Sequence, residues 1–80
     1  MILKMFAFGV ARDIVGAAIA EMETEEGITV AALKQQLFEQ YPRFGALSSL
    51  LIAVNAEYGD DHTLLKASDE IALIPPVSGG

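Results

Sequence analysis

The chain contains no cysteine and a single histidine. Without thiols, neither a disulfide nor a cysteine-based zinc site can staple the fold, and a Cys-His nucleophile pair is excluded. One imidazole leaves no second histidine for a typical zinc site, so no metal site is expected. Basic residues are scarce as well: five Lys and Arg stand against eleven Asp and Glu, for a net charge of −6. That balance argues against nucleic acid, whose phosphates attract basic proteins through counterion release. It suits a partner with a basic docking surface, and equally a small apolar chain kept in solution by its own charge. No apolar run approaches the roughly 18 to 20 residues that cross a bilayer, so no membrane partner is expected. The first residues, Met1-Ile2-Leu3-Lys4-Met5-Phe6, lack the basic, long apolar and small-residue regions of a signal peptide. The expectation is a soluble, cytoplasmic chain.

What is present is apolar. With 80 residues and 52% hydrophobic content, the chain has room for one domain, near the lower end of what folds unaided. Residues 2–8 alternate and read as a first strand ended by Phe8-Gly9. Residues 11–15 suit a short helical turn closed by Gly16 in the left-handed region. Residues 17–22 read as a returning strand, followed by an acidic loop over 23–27. Thr29 is a candidate N-cap for a helix with Val30, Leu33, Leu37, Phe38 and Tyr41 along one face, stopped by Pro42. A connection over 43–49 leads to a buried strand at 50–54, ended by Asn55. Residues 57–59 suit a short edge strand and 64–67 a second short turn. The last strand, 70–74, stops where Pro75 and Pro76 remove two ladder donors. One amphipathic helix covering one face of such a sheet is a sensible α+β solution, and right-handed crossover places the third strand parallel to the second. This order describes a β-grasp, with a mixed sheet and one main helix.

Strand periodicity also sorts the faces. If Lys4 meets water, Phe6 and Phe8 share its open side, while Leu3, Met5 and Ala7 face the helix. Ile71 and Leu73 then point inward, and Ala72 and Ile74 outward. Tyr58 on the short strand joins them. Aromatics gathered on an uncovered sheet face are a candidate interface, unless a loop folds over them or the register slips by one residue. His62, in the loop after Asp60-Asp61, reads as an ordinary surface histidine. Glu23, Glu25 and Glu26 lack the ligand spacing of a calcium loop and read as solvated.

The end of the chain, Pro75-Pro76-Val77-Ser78-Gly79-Gly80, carries the sharpest signal. Glycine lets backbone approach another surface closely, so a Gly-Gly end can enter a narrow active site and present its carboxylate there. Together with Phe6-Ala7-Phe8, Arg12-Asp13, Gly16, Thr29-Val30-Ala31-Ala32-Leu33, Ala53-Val54-Asn55 and Asp69-Glu70-Ile71-Ala72, this ending resembles the small subunit of molybdopterin synthase. That is the MoaD family of ubiquitin-like sulfur carriers, and the resemblance runs the length of the chain.

The resemblance implies a single carrier domain over residues 1–80, with 77–80 a flexible tail. An ATP-dependent adenylyltransferase would adenylate Gly80, and a persulfide sulfur donor would displace AMP to leave a thiocarboxylate. ATP would be used by that partner, with no cofactor bound permanently to the chain. Val77, Ser78 and Gly79 would thread into the large synthase subunit, where sulfur passes to cyclic pyranopterin monophosphate and two transfers build the molybdopterin dithiolene. Phe8, Tyr58 and Ile74 match family positions that contact the large subunit, beside Phe6 on the same face. Arg12 matches a family position too, open to a structural ion pair or a direct role. The family complex is a heterotetramer, and its active site lies mainly on the large subunit. Two alternatives share the fold and the ending: a sulfur carrier for another pathway, such as thiamine thiazole synthesis, and a ubiquitin-like modifier that joins its terminus to lysines. A plain binding module whose Gly-Gly end is incidental is a third.

Overall fold

The computed structural model describes residues 1–47 and 49–76. Strand β1, Ile2–Ala7, alternates along its length: Leu3, Met5 and Ala7 are buried, while Ile2, Lys4 and Phe6 lie on the other face. Phe8, expected to end this strand, instead precedes helix α1, Gly9–Val15, which is longer than the turn expected over 11–15. Gly16 caps it at φ +82° in the left-handed region, as the sequence suggests. Strand β2, Ile19–Glu23, starts later than expected because residues 16–18 complete the return; Ala7 N–H donates to the Ala18 carbonyl at 2.8 Å.

Helix α2, Val30–Gln40, begins where Thr29 caps it, its hydroxyl accepting from Ala32 N–H at 3.2 Å. Val30, Leu33 and Leu37 are fully buried. Phe38, expected on the same apolar face, is 41% exposed at its margin, and Tyr41 ends the helix as its C-cap. Pro42 cannot donate to continue α2 and opens a 3-10 helix, Pro42–Ala46, in place of the plain connection expected. That short helix buries Phe44, whose ring meets Tyr41 edge-on at 6.0 Å and Phe38 at 6.4 Å.

Strand β3, Leu51–Val54, turns through Asn55-Ala56 into β4, Glu57–Tyr58. Residues 64–67 are not the turn expected: Leu64 makes a single bridge to Thr29, and the buried Leu65 donates to the Ile28 carbonyl at 2.9 Å. The turn falls after Lys66, whose carbonyl accepts from Asp69 N–H at 3.0 Å. Strand β5, Glu70–Ile74, then inserts between β1 and β3, parallel to the first and antiparallel to the second. The sheet order is β2-β1-β5-β3-β4, and β3 runs in the direction of β2, as the crossover argument expects. Leu3, Met5, Ile52, Ile71 and Leu73 pack with Val30, Leu33 and Leu37 of α2 in one core. The helix therefore covers one face and leaves the other available.

Candidate functional site

The second face is organised by strand register. Phe6 pairs with Ile19 on one side and Ala72 on the other; Ala72 pairs with Ala53, and Ala53 with Tyr58. An apolar row thus crosses all five strands. Toward the C-terminal end of β5, Ile74 pairs with Leu51, while Phe8 N–H donates to the Leu73 carbonyl at 3.3 Å. On the other side of the row, Lys4 stands between Glu21 and Glu70. The face therefore grades from an apolar end to a charged one.

Each residue that the sequence assigns to this face lies on it. Tyr58 is 70% exposed and Phe8 54%, whereas Phe6 and Ile74 are half-buried. Phe6, Phe8, Ala56, Glu70, Ile71 and Ala72 line a shallow depression of about 330 Å³. Two further apolar residues join the surface without having been singled out. Ile19 shares the face of Phe6 once β2 is paired in register. Leu51, expected within a wholly buried strand, is 46% exposed, because an uninterrupted apolar run carries no alternation to show which residue turns outward.

Near this face, the turn between β3 and β4 is tied to the start of β5. Asn55 Nδ2 donates to Asp69 Oδ1 at 3.0 Å, and Asn55 Oδ1 accepts from Glu70 N–H at 2.9 Å. Asp69 Oδ2 accepts from Lys66 N–H at 2.8 Å. The Asn55 amide foremost, then the Lys66 N–H and the Lys66 charge, hold the Asp69 carboxyl below its ordinary value, with burial opposing them.

Other candidates stay apart from this surface. His62 sits in an exposed turn, its N–H donating to Asp60 Oδ1 at 2.8 Å. Arg12 makes no ion pair among the described residues, where Lys34–Asp61 at 3.6 Å is the salt bridge present. It borders a depression with Asp13, Gly16, Ala17 and Ala18. Among the described residues, no three acidic or histidine side chains gather closely enough to hold a metal ion, and no helix is long and apolar enough to cross a membrane. Val77, Ser78, Gly79 and Gly80 lie outside the described residues. Their starting point does not: β5 leaves the sheet at Ile74, and Pro75 passes close to Gly9, where a Cβ would sit 3.4 Å from the proline ring.

A mixed five-stranded sheet with one long helix across a single face defines a ubiquitin-like β-grasp protein. The sequence agrees and goes further: residues 6–80 match the model of the ThiS family, and the chain belongs to that family. Among curated relatives, the molybdopterin synthase sulfur carrier subunit of Arabidopsis thaliana is 30% identical, over 98% of this chain and 82% of its own. That of Dictyostelium discoideum is 34% identical, over 96% and 94%. Among solved structures, a Pyrococcus furiosus protein provisionally named molybdopterin converting factor, subunit 1, superposes with a TM-score of 0.85 at 26% identity, over 96% and 99% of the two chains. A chain of the Helicobacter pylori complex of molybdopterin-converting factor subunits 1 and 2 gives 0.66 at 27%, over the full length of both. Small archaeal modifier protein 1 of Methanosarcina acetivorans gives 0.73 at 26%, over 99% and 96%.

Proposed function

We propose that this chain is the sulfur-carrying small subunit of a molybdopterin synthase, working in the cytoplasm through the carboxylate of Gly80. The observation that carries the reading is positional. Strand β5 ends at Ile74, at the apolar end of the open face, so the residues after it start from the rim of a docking surface. The relatives named sulfur carrier subunits, and the complex of subunits 1 and 2 solved for a similar chain, support the same assignment.

The chemistry follows from what a carboxylate lacks. It is a poor electrophile at neutral pH, and adenylation by an ATP-dependent adenylyltransferase gives its carbonyl carbon a good leaving group. The outer sulfur of a persulfide donor attacks that carbon and displaces AMP to give an acyl disulfide. A second thiol of the donor then cleaves the S–S bond, forming a disulfide with the donor's first sulfur and leaving a thiocarboxylate, a sulfur nucleophile that needs no cysteine in this chain. Phe6, Phe8, Tyr58 and Ile74 seat the carrier on the large subunit, with two copies of each forming the heterotetramer. Val77, Ser78 and Gly79 extend into the partner's site. Four residues beyond Pro76 reach at most roughly 13 to 14 Å. The groups that assist transfer to cyclic pyranopterin monophosphate belong to the partner.

Intact mass tests this reading. Co-expression with the activating enzyme and a sulfur donor replaces one terminal oxygen of Gly80 by sulfur, and deleting Gly80 abolishes the change while docking and folding persist. A mass that never changes would sink the carrier role. The likeness to a small archaeal modifier favours one second reading, in which the same activated terminus forms isopeptide bonds with lysines. Conjugates on other proteins, in place of a thiocarboxylate, would select it. A carrier for another pathway would show the mass change without binding the large subunit.

A further inference from the structure

The outer strand of the hairpin, which carries Tyr58, is too short to hold its own place. Strand β4 has two residues, both exposed, and among the described residues pairs only with β3, at the edge of the sheet. Strand β3 is held along its length by β5, but two residues of pairing leave β4 itself marginal. Its two-residue turn has both central residues in the left-handed region, Asn55 at φ +54° and Ala56 at φ +69°. Asparagine tolerates that conformation and alanine resists it. Contacts outside the hairpin must therefore fix the turn.

Asn55 supplies them. Its N–H donates to the Glu70 carbonyl at 2.8 Å, its Oδ1 accepts from Glu70 N–H at 2.9 Å, and its Nδ2 donates to Asp69 at 3.0 Å. The Asp69 carboxylate is buried and braced from its own turn by Lys66 N–H. One turn residue is thus fastened three times to the start of β5, a strand held on both sides. Ala56, next to it, lines the depression with Phe6, Phe8 and Ala72.

Resting on the docking role proposed above, we infer that Asn55 and Asp69 form a positioning clamp that presets Tyr58 and the Ala56 wall for the large subunit. A flexible edge would have to be ordered at the moment of association, and that loss of freedom would be subtracted from affinity. The clamp removes it in advance. An amide is required at residue 55, because one end donates to a carboxylate and the other accepts from an N–H.

The decisive variant is Asn55→Gly. Glycine adopts φ +54° without strain, so the substitution removes the side-chain bonds and leaves the turn geometry accessible. Affinity for the purified large subunit is measured calorimetrically, well below the unfolding midpoint, for wild type, Asn55→Gly, Tyr58→Ala and the double variant. The expected result is a roughly three- to tenfold weaker Kd for Asn55→Gly, most of it absent in the Tyr58→Ala background because the two act as one unit. The Gly59 N–H, bonded to the Ile52 carbonyl at 2.9 Å, exchanges faster in Asn55→Gly while core amides keep their rates. Wild-type affinity in Asn55→Gly, or losses that multiply fully in the double variant, would overturn the clamp and leave only a role in stability. If Asn55→Gly does not fold, Asp69→Ala takes its place in the same cycle. Phe8→Ala is run in parallel: unchanged docking there refutes the docking role itself, whereas weakened docking there beside an inert Asn55→Gly refutes the clamp alone.

Discussion

Truncating Phe8 and Phe38 to alanine separates docking from folding, because the two rings lie on opposite sides of the sheet and are exposed to similar extents. Phe8 is 54% exposed on the open face and Phe38 41% exposed on α2. A phenylalanine side chain has roughly 200 Å² to bury. At about 25 cal/mol per Å², the part of Phe8 already buried is worth at most about 2 kcal/mol to the fold, and that of Phe38 about 3 kcal/mol. Both variants are therefore expected to lower stability by comparable amounts, read as a shift in the urea midpoint. Their effects on docking differ. Phe8 has about 100 Å² left for a partner, or about 2.5 kcal/mol, which corresponds to a roughly 60-fold weaker Kd for the large subunit. Phe38 has nothing to offer on that side, and Phe38→Ala is expected to dock as wild type does. Titration calorimetry at 25 °C reads both. Equal losses of affinity, or a loss confined to Phe38→Ala, would refute the assignment of the open face as the interface.

Two further predictions concern what holds that face in shape. The Asp69 carboxyl lies below its ordinary value of 3.8, so its contribution to stability is present above that value and is lost as pH falls through the depressed one. Carboxyl NMR is expected to show Asp69 titrating late and to show it move upward in Asn55→Gly; an ordinary titration in the wild type would contradict the bonds described. Gly59→Ala is expected to destabilise the fold by about 1 to 2 kcal/mol, since overpacking a filled site forces its neighbours to move. The new Cβ would sit 3.1 Å from a methyl of Val30 and 3.1 Å from one of Val54, both stiff β-branched side chains. An unchanged thermal midpoint would show that β4 can lift away freely.

The parts of this fold that were legible in sequence are those governed by local rules. Thr29, the spacing of Val30, Leu33 and Leu37, and Pro42 mark α2 because capping, period and termination each act within a turn of helix. Alternation in β1 sorted Phe6 and Lys4 from Leu3 and Met5 for the same reason. The misses depend on contacts distant in sequence. Phe44 is core because the 3-10 helix after Pro42 folds it into the cluster under α2, with the rings of Phe38 and Tyr41 beside it, a contact that its own stretch of sequence does not announce. Helix α1 starts at Gly9, a residue of low helix propensity at φ +52°, so composition points to a later start. The Asn55–Asp69 pair spans 14 residues and leaves no periodic trace.

Strand β5 links the proposed docking face to the chemistry proposed for the terminus. It is paired on both sides, places Ile71 and Leu73 in the core and turns Ala72 and Ile74 to the open face. A strand so enclosed opens only with most of the domain, so the root of the tail is fixed relative to the docked surface. Pro75 and Pro76 extend that rigidity, since each ring fixes its own φ. Four residues follow Pro76 in the sequence, and a reach of at most roughly 13 to 14 Å is counted from there. On the proposed reading, the reacting atom on the partner must lie within that distance of Pro76, two residues past the rim at Ile74. Slipping the docked face by one strand spacing, about 4.8 Å, exceeds the length that one extended residue restores. If the chain docks as proposed, apolar contacts on the sheet act on transfer as well as on affinity: they decide where a carboxylate several residues away can arrive.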